Sequence, residues 1–236
     1  MRQLTTKPGN ANVAAFLDRA RAVAVRPAAA PGRLLFIMDA TASRQPSWDR
    51  ACHVMAEMFA AAGDGVGSTA SGAGGGLAVR LAYWRGHMDF AATPFLTDGA
   101  ELTRRMAGVR CLGGQTQILR ALMHALDETK RTRIHATVLI GDALEEALDP
   151  IAHVAGQLGL HGTPVFAFHE GGEPASAEAF RQIAKLSGGA FAPFDSASAT
   201  ALRDLLRAVA VFAAGGRARL AALPGPAAGR MVAQLR

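Results

Sequence analysis

The sequence predicts an α/β domain: a doubly wound, Rossmann-like, mostly parallel six-stranded sheet with one antiparallel edge strand and helices on both faces. Three observations predict it. Short, mainly apolar runs such as RLLFIM (33–38) and IHATVLI (134–140) lack the polar alternation of a half-exposed strand, as strands covered on both faces do. These runs alternate with segments of helical periodicity, as parallel strands joined by helical crossovers require. One pair of strands, 77–84 and 88–92, is separated only by RGH and reads as a hairpin, which supplies the antiparallel edge.

Along the chain, residues 1–32 read as a short helix, NVAAFLDRARAV, and an Ala/Pro linker. The strand 33–38 leads into a helix over 47–62, where Trp48, Cys52, Met55 and Phe59 recur at helical spacing. GDGVGSTASGAGGG (63–76) has nothing to pack and reads as a flexible loop. After the hairpin, Asp98 caps a helix ending near Val109. CLGGQT is a loop, and Ile118, Leu119, Leu122, Met123 and Leu126 mark one face of a helix over 117–128. The strand 134–140 ends in Gly141-Asp142. There follow a helix over 149–160, a strand over 164–168, a helix over 175–187 closed by Gly188-Gly189, a short strand over 190–194 and a last helix over 199–213. The expected domain is therefore 33–214, with 215–236 as a basic, mobile tail.

Composition limits the function classes. Net charge is +6, yet residues 1–33 hold six basic residues against Asp18, and 217–236 hold four Arg and no acid, so the ends carry +9 and the domain about −3. No helix bears a dense Arg stripe with interleaved aromatics, so a specific nucleic-acid surface is not expected. Cys52 and Cys111 form no CxxC pair, which argues against a disulfide scaffold or structural zinc. The N-terminus lacks the apolar core of a signal peptide, and no run approaches the ~20 residues of a membrane span. The expectation is a soluble, cytoplasmic monomer.

In open α/β sheets, ligands bind beyond the carboxyl ends of the strands. Asp39 and Asp142 both terminate apolar strands. Asp39, Thr41 and Ser43 follow at alternate positions, Thr116 stands before a helix, and Asp142 completes a set of hard oxygen donors suited to Mg²⁺ or Mn²⁺. Two carboxylates cancel one divalent ion and leave it open to a further carboxylate, which a partner protein would supply. Arg44 and Gln45, beside the triplet, would flank that carboxylate. Glu145 and Glu146 read as a solvated helical turn, Trp48 as core, Cys111 as a buried thiol, and His53, His124 and His153 as helix-surface or satisfied residues.

Asp39-Ala-Thr41-Ala-Ser43, then Thr116, then Gly141-Asp142 resembles the metal-ion-dependent adhesion site (MIDAS) of von Willebrand factor A (VWA) domains. The resemblance spans about 33–213 and is closer to bacterial intracellular proteins of this fold than to secreted adhesins. Thr41 departs from the usual Ser. The resemblance implies that Ser43 and Thr116 meet a metal directly or through water, that Asp39 and Asp142 act largely through waters, and that the chain is a non-enzymatic protein-interaction module. The alternative is a phosphatase or phosphotransferase of the haloacid dehalogenase type using Asp39. That chemistry wants a second Asp two residues on, where this chain has Thr41, and a Lys that Lys130 is badly placed to supply. A Rossmann nucleotide site lacks its glycine fingerprint and its P-loop.

Overall fold

The computed structural model describes residues 31–63, 76–195 and 199–235. The expected N-terminal helix and nearly all of the Gly-rich loop lie outside the described residues. The strands are β1 (Gly32–Asp39), β2 (Leu77–Arg85), β3 (Asp89–Ala92), β4 (Ala136–Gly141), β5 (Val165–Glu170) and β6 (Phe191–Phe194). The helices are α1 (Gln45–Gly63), α2 (Gly99–Ala107), α3 (Ile118–Arg131), α4 (Leu148–Leu160), α5 (Pro174–Ser187), α6 (Ala199–Ala221) and α7 (Pro226–Gln234). A 3₁₀ turn, Ala42–Arg44, joins β1 to α1.

The six strands form one sheet in the order β3-β2-β1-β4-β5-β6. Only β2 and β3 pair antiparallel; every other pairing is parallel, as the sequence predicts. Order reverses at β1, whose neighbours are β2 on one side and β4 on the other. This is the switch point where a crevice opens at the strand ends.

Strand residues alternate between two cores. Leu34, Phe36 and Met38 face a layer made by α1, α2, α6 and α7. Leu35 and Ile37 face a layer made by α3, α4 and α5. Both sheet faces are dry, so β1 and β4 read as near-continuous apolar runs, and after Arg33 at its start the next polar side chain of β1 is its last, Asp39. Trp48 is core, as expected, and its Nε1–H donates to the Met106 carbonyl at 2.9 Å. Asp98 caps α2 by accepting from Ala100 N at 2.9 Å, and Gly188, with φ 75°, closes α5.

The tail expected over 215–236 is corrected by the structure: α6 runs on to Ala221 and α7 follows. Gly216 adopts φ 73° and kinks α6, a conformation that costs glycine little. Beyond the kink, Leu220, Ala227, Ala228, Met231 and Leu235 are buried in the α1/α6 core. Gly215-Gly216 and Pro224-Gly225 hide this packing in the sequence, because both pairs read as helix breakers. The Gln234 side chain also accepts from Phe191 N at 2.8 Å and donates to Phe191 O at 3.1 Å, against the outer side of β6.

Candidate metal centre

Three segments meet at the carboxyl end of the sheet. β1 delivers Asp39, which is 1% exposed. Its Oδ1 accepts from the Thr41 backbone N–H at 2.7 Å, an Asx-type turn that starts the 3₁₀ segment and lifts Ser43 above the strand end. β4 ends at Gly141, and Asp142 follows with a more exposed side chain. Its Oδ2 accepts from Ser43 Oγ at 3.2 Å. The Thr116 loop approaches from the third side. It is stitched to the sheet by Leu112 N to Ala40 O at 3.0 Å and by Gly86 N to Leu112 O at 3.1 Å. A Cβ on Gly114 would sit 1.8 Å from the Gly86 carbonyl oxygen, so only glycine lets this loop lie so close to the β2–β3 turn.

Asp39, Thr41, Ser43, Thr116 and Asp142 line one cleft of about 230 Å³, together with Ala42, Gly113, Gly114, Ala143 and Glu145. All five oxygen-bearing residues expected from the sequence are thus brought together. Asp39 Oδ2 is buried and has no hydrogen-bond partner. Burial pushes the Asp39 carboxyl up to about 6; the Asp142 charge adds to this, while the Thr41 hydrogen bonds and Arg44 oppose it. A buried, unpartnered carboxylate oxygen on the wall of a cleft that also offers hydroxyls fits a hard divalent cation. Among the described residues no group of three or more His, Cys, Asp and Glu could hold a metal, so the donor set depends on hydroxyls.

Arg44 and Gln45 differ from expectation. Arg44 is 3% exposed and turned inward. Its guanidinium pairs with Glu170 at the end of β5 and lies 3.7 Å from Asp142 Oδ2. A buried guanidinium needs a carboxylate more than solvent does, so Arg44 faces the protein and not an incoming group. Gln45 is half-buried and bridges Asp49 Oδ1 (2.8 Å) and the Cys111 backbone N–H (3.1 Å), tying α1 to the Thr116 loop.

Glu145 and Glu146 also differ from the solvated helical turn expected of them. They belong to the loop after β4, and both reach the Thr116 segment. Thr116 N donates to Glu145 Oε2 at 3.0 Å, and Glu145 N donates to Thr116 Oγ1 at 3.1 Å. The Glu146 carboxylate accepts from Ile118 N at 2.6 Å and Leu119 N at 2.9 Å, the first free N–H groups of α3. Two further residues escaped the sequence reading. His169 Nε2 is 3.0 Å from the Asp142 carbonyl, and Glu170 holds Arg44 and accepts from Ser47 Oγ at 2.6 Å. The available signal was a polar pair closing an apolar strand, VFAFHE, the same pattern that marks Asp39.

No family model and no curated protein matches the sequence. Solved structures do match. Proximal thread matrix protein 1 from the mussel byssus aligns over 80% of this chain and 50% of its own, with a TM-score of 0.59 and 18% identity. A second structure of that protein, with a zinc-occupied MIDAS motif, aligns with a TM-score of 0.58 and 14% identity. The chain thus spans about half the length of the mussel protein. It spans 95% of the SpRpn10 VWA domain (TM-score 0.55, 9% identity, 76% of this chain). It also spans 96% of the vWF domain of a type V pili tip protein from Porphyromonas gingivalis (TM-score 0.57, 9% identity, 78% of this chain). With this sheet order and these matches, the chain has the VWA fold.

Proposed function

We propose that the chain is a non-enzymatic protein-interaction module that takes up an acidic side chain of a partner protein through a Mg²⁺ or Mn²⁺ ion at the Asp39–Thr41–Ser43–Thr116–Asp142 cleft. The observation that carries the reading is the unpartnered, buried Asp39 Oδ2 on the wall of that cleft. The zinc-occupied motif of the mussel protein supports a divalent ion at the corresponding position.

The ion would supply an open coordination position for the partner's carboxylate. The chain's own residues do the rest. Thr41 N–H orients Asp39 so that one oxygen is left over, Ser43 and Arg44 hold Asp142, and the Glu145 backbone N–H holds the Thr116 hydroxyl oxygen. Beside the cleft, and sharing Thr116 with it, runs a groove lined by Met88, Phe90, Leu119 and Met123. Met88 is 71% and Met123 49% exposed. Large apolar side chains left in solvent next to a charged cleft suit contact with a protein surface. Among the described residues no helix is long and apolar enough to cross a membrane.

The test is capture of partners in Mg²⁺ or EDTA, with wild type and Asp39→Ala. Proteins retained only by wild type in Mg²⁺ are the expected outcome; identical retention in all arms overturns the reading. Turnover of a general phosphatase substrate that Asp39→Asn abolishes would replace it with the haloacid dehalogenase alternative.

A further inference from the structure

Behind the cleft lies a buried ionic cluster that does not line it. Arg44, Ser47 and Glu170 come from the 3₁₀ turn, α1 and β5, and all three are buried. Glu170 takes one terminal nitrogen of Arg44 and the Ser47 hydroxyl. The other terminal nitrogen faces Asp142 Oδ2 at 3.7 Å, and Arg44 Nε is buried with no partner. Arg44 is therefore shared between a carboxylate that faces the cleft and one that does not.

We propose that Glu170 is a positioning residue that sets, through Arg44, how much negative charge the cleft presents to a cation. The inference rests on the metal-site reading above. Asp39 and Asp142 offer two negative charges, and Arg44 removes part of that offer. Glu170 returns it by neutralising Arg44 from behind. In a buried, weakly screened setting, one unit charge so near the site weighs heavily on a divalent ion. Glu170 also fixes the guanidinium in place, so the Asp142 oxygen it approaches is the one already held by Ser43.

The test is Mn²⁺ titration by calorimetry of the full chain carrying Glu170→Gln, and of the double variant Arg44→Met/Glu170→Gln. Glu170→Gln keeps the shape and a hydrogen-bonding oxygen but leaves Arg44 uncompensated, and is expected to weaken Mn²⁺ binding about tenfold or more. The double variant leaves no unpaired charge in the Arg44–Glu170 cluster and is expected to recover to within about threefold of wild type. Recovery on removing a second partner is a signature of charge; lost packing would not be restored that way. Unchanged affinity in Glu170→Gln, or a double variant as weak as the single, overturns the inference while the metal site stands. A wild type that binds no Mn²⁺ overturns both.

Discussion

The two strand ends that carry the site carboxylates are built differently. Asp39, at the end of β1, is buried at the wall of the cleft with one oxygen satisfied by its own turn and the other unpartnered. Asp142, just past β4, is partly solvated and held by Ser43 and Arg44, with its carbonyl against His169. Burial makes the first a carboxylate in need of a cation. Hydrogen bonding makes the second a carboxylate already half provided for. The difference teaches that one cleft can place its unmet charge on one side and its fixed geometry on the other.

The largest expected consequence concerns affinity. Asp39→Asn is expected to weaken Mn²⁺ binding at least about 100-fold and Asp142→Asn about tenfold, because a desolvated charge is worth more to an ion than a solvated one. Equal losses in calorimetry would break the comparison. The next concerns the metal-free fold. Asp39 has its pKa raised from 3.8 to about 6, so between those values the folded state holds the proton more firmly than the unfolded chain. Its penalty is absent below pH 4, grows as pH rises to 6, and then stays at about 3 kcal/mol. Denaturant unfolding in EDTA should therefore show wild-type stability falling across that window. Asp39→Asn should flatten the fall, and Asp142→Asn should only reduce it, since burial is the larger cause of the shift and the Asp142 charge a smaller one.

A smaller effect belongs to the hydrogen-bonded side. Glu146→Ala removes the cap on α3 and is expected to cost about 1 kcal/mol of stability in the same unfolding experiment. The smallest is a reporter on the Thr116 loop. Burial, with the Asp39 charge next, pushes the Cys111 thiol up to about 11, so its alkylation at pH 8 should be slow. Asp39→Asn should speed it by about twofold and Asp142→Asn should not, since of these two carboxylates only Asp39 acts on that thiol.

The sheet and the convergence of the five oxygen-bearing residues were legible because each rests on a local pattern: an apolar run, a breaker, and a polar residue at a strand end or before a helix. The support of the site was not. Arg44 and Glu170 stand 126 positions apart, and nothing local to Arg44 shows that a carboxylate waits for it inside. The sequence-predicted strand 164–168 stopped two residues short of β5 and so excluded His169 and Glu170, the pair that buttresses Asp142 and Arg44. Glu145 and Glu146 looked like a helical turn because acidic residues often start helices; their carboxylates instead serve the helix before them. The end of α6 and all of α7 were hidden by Gly-Gly and Pro-Gly punctuation, although Leu220, Leu223, Ala227, Met231 and Leu235 keep helical spacing.

The amide of Gln234 covers one edge of the sheet. β6 is the outermost strand on its side, and such a margin is a template for another chain. Gln234 occupies both outward groups of Phe191, donor with acceptor and acceptor with donor, as a neighbouring peptide would. A single side chain at the far end of the sequence thus works as a counterfeit strand. A chain cut before Pro226 would leave both outward groups of Phe191 open on a strand that is short and carries Pro193.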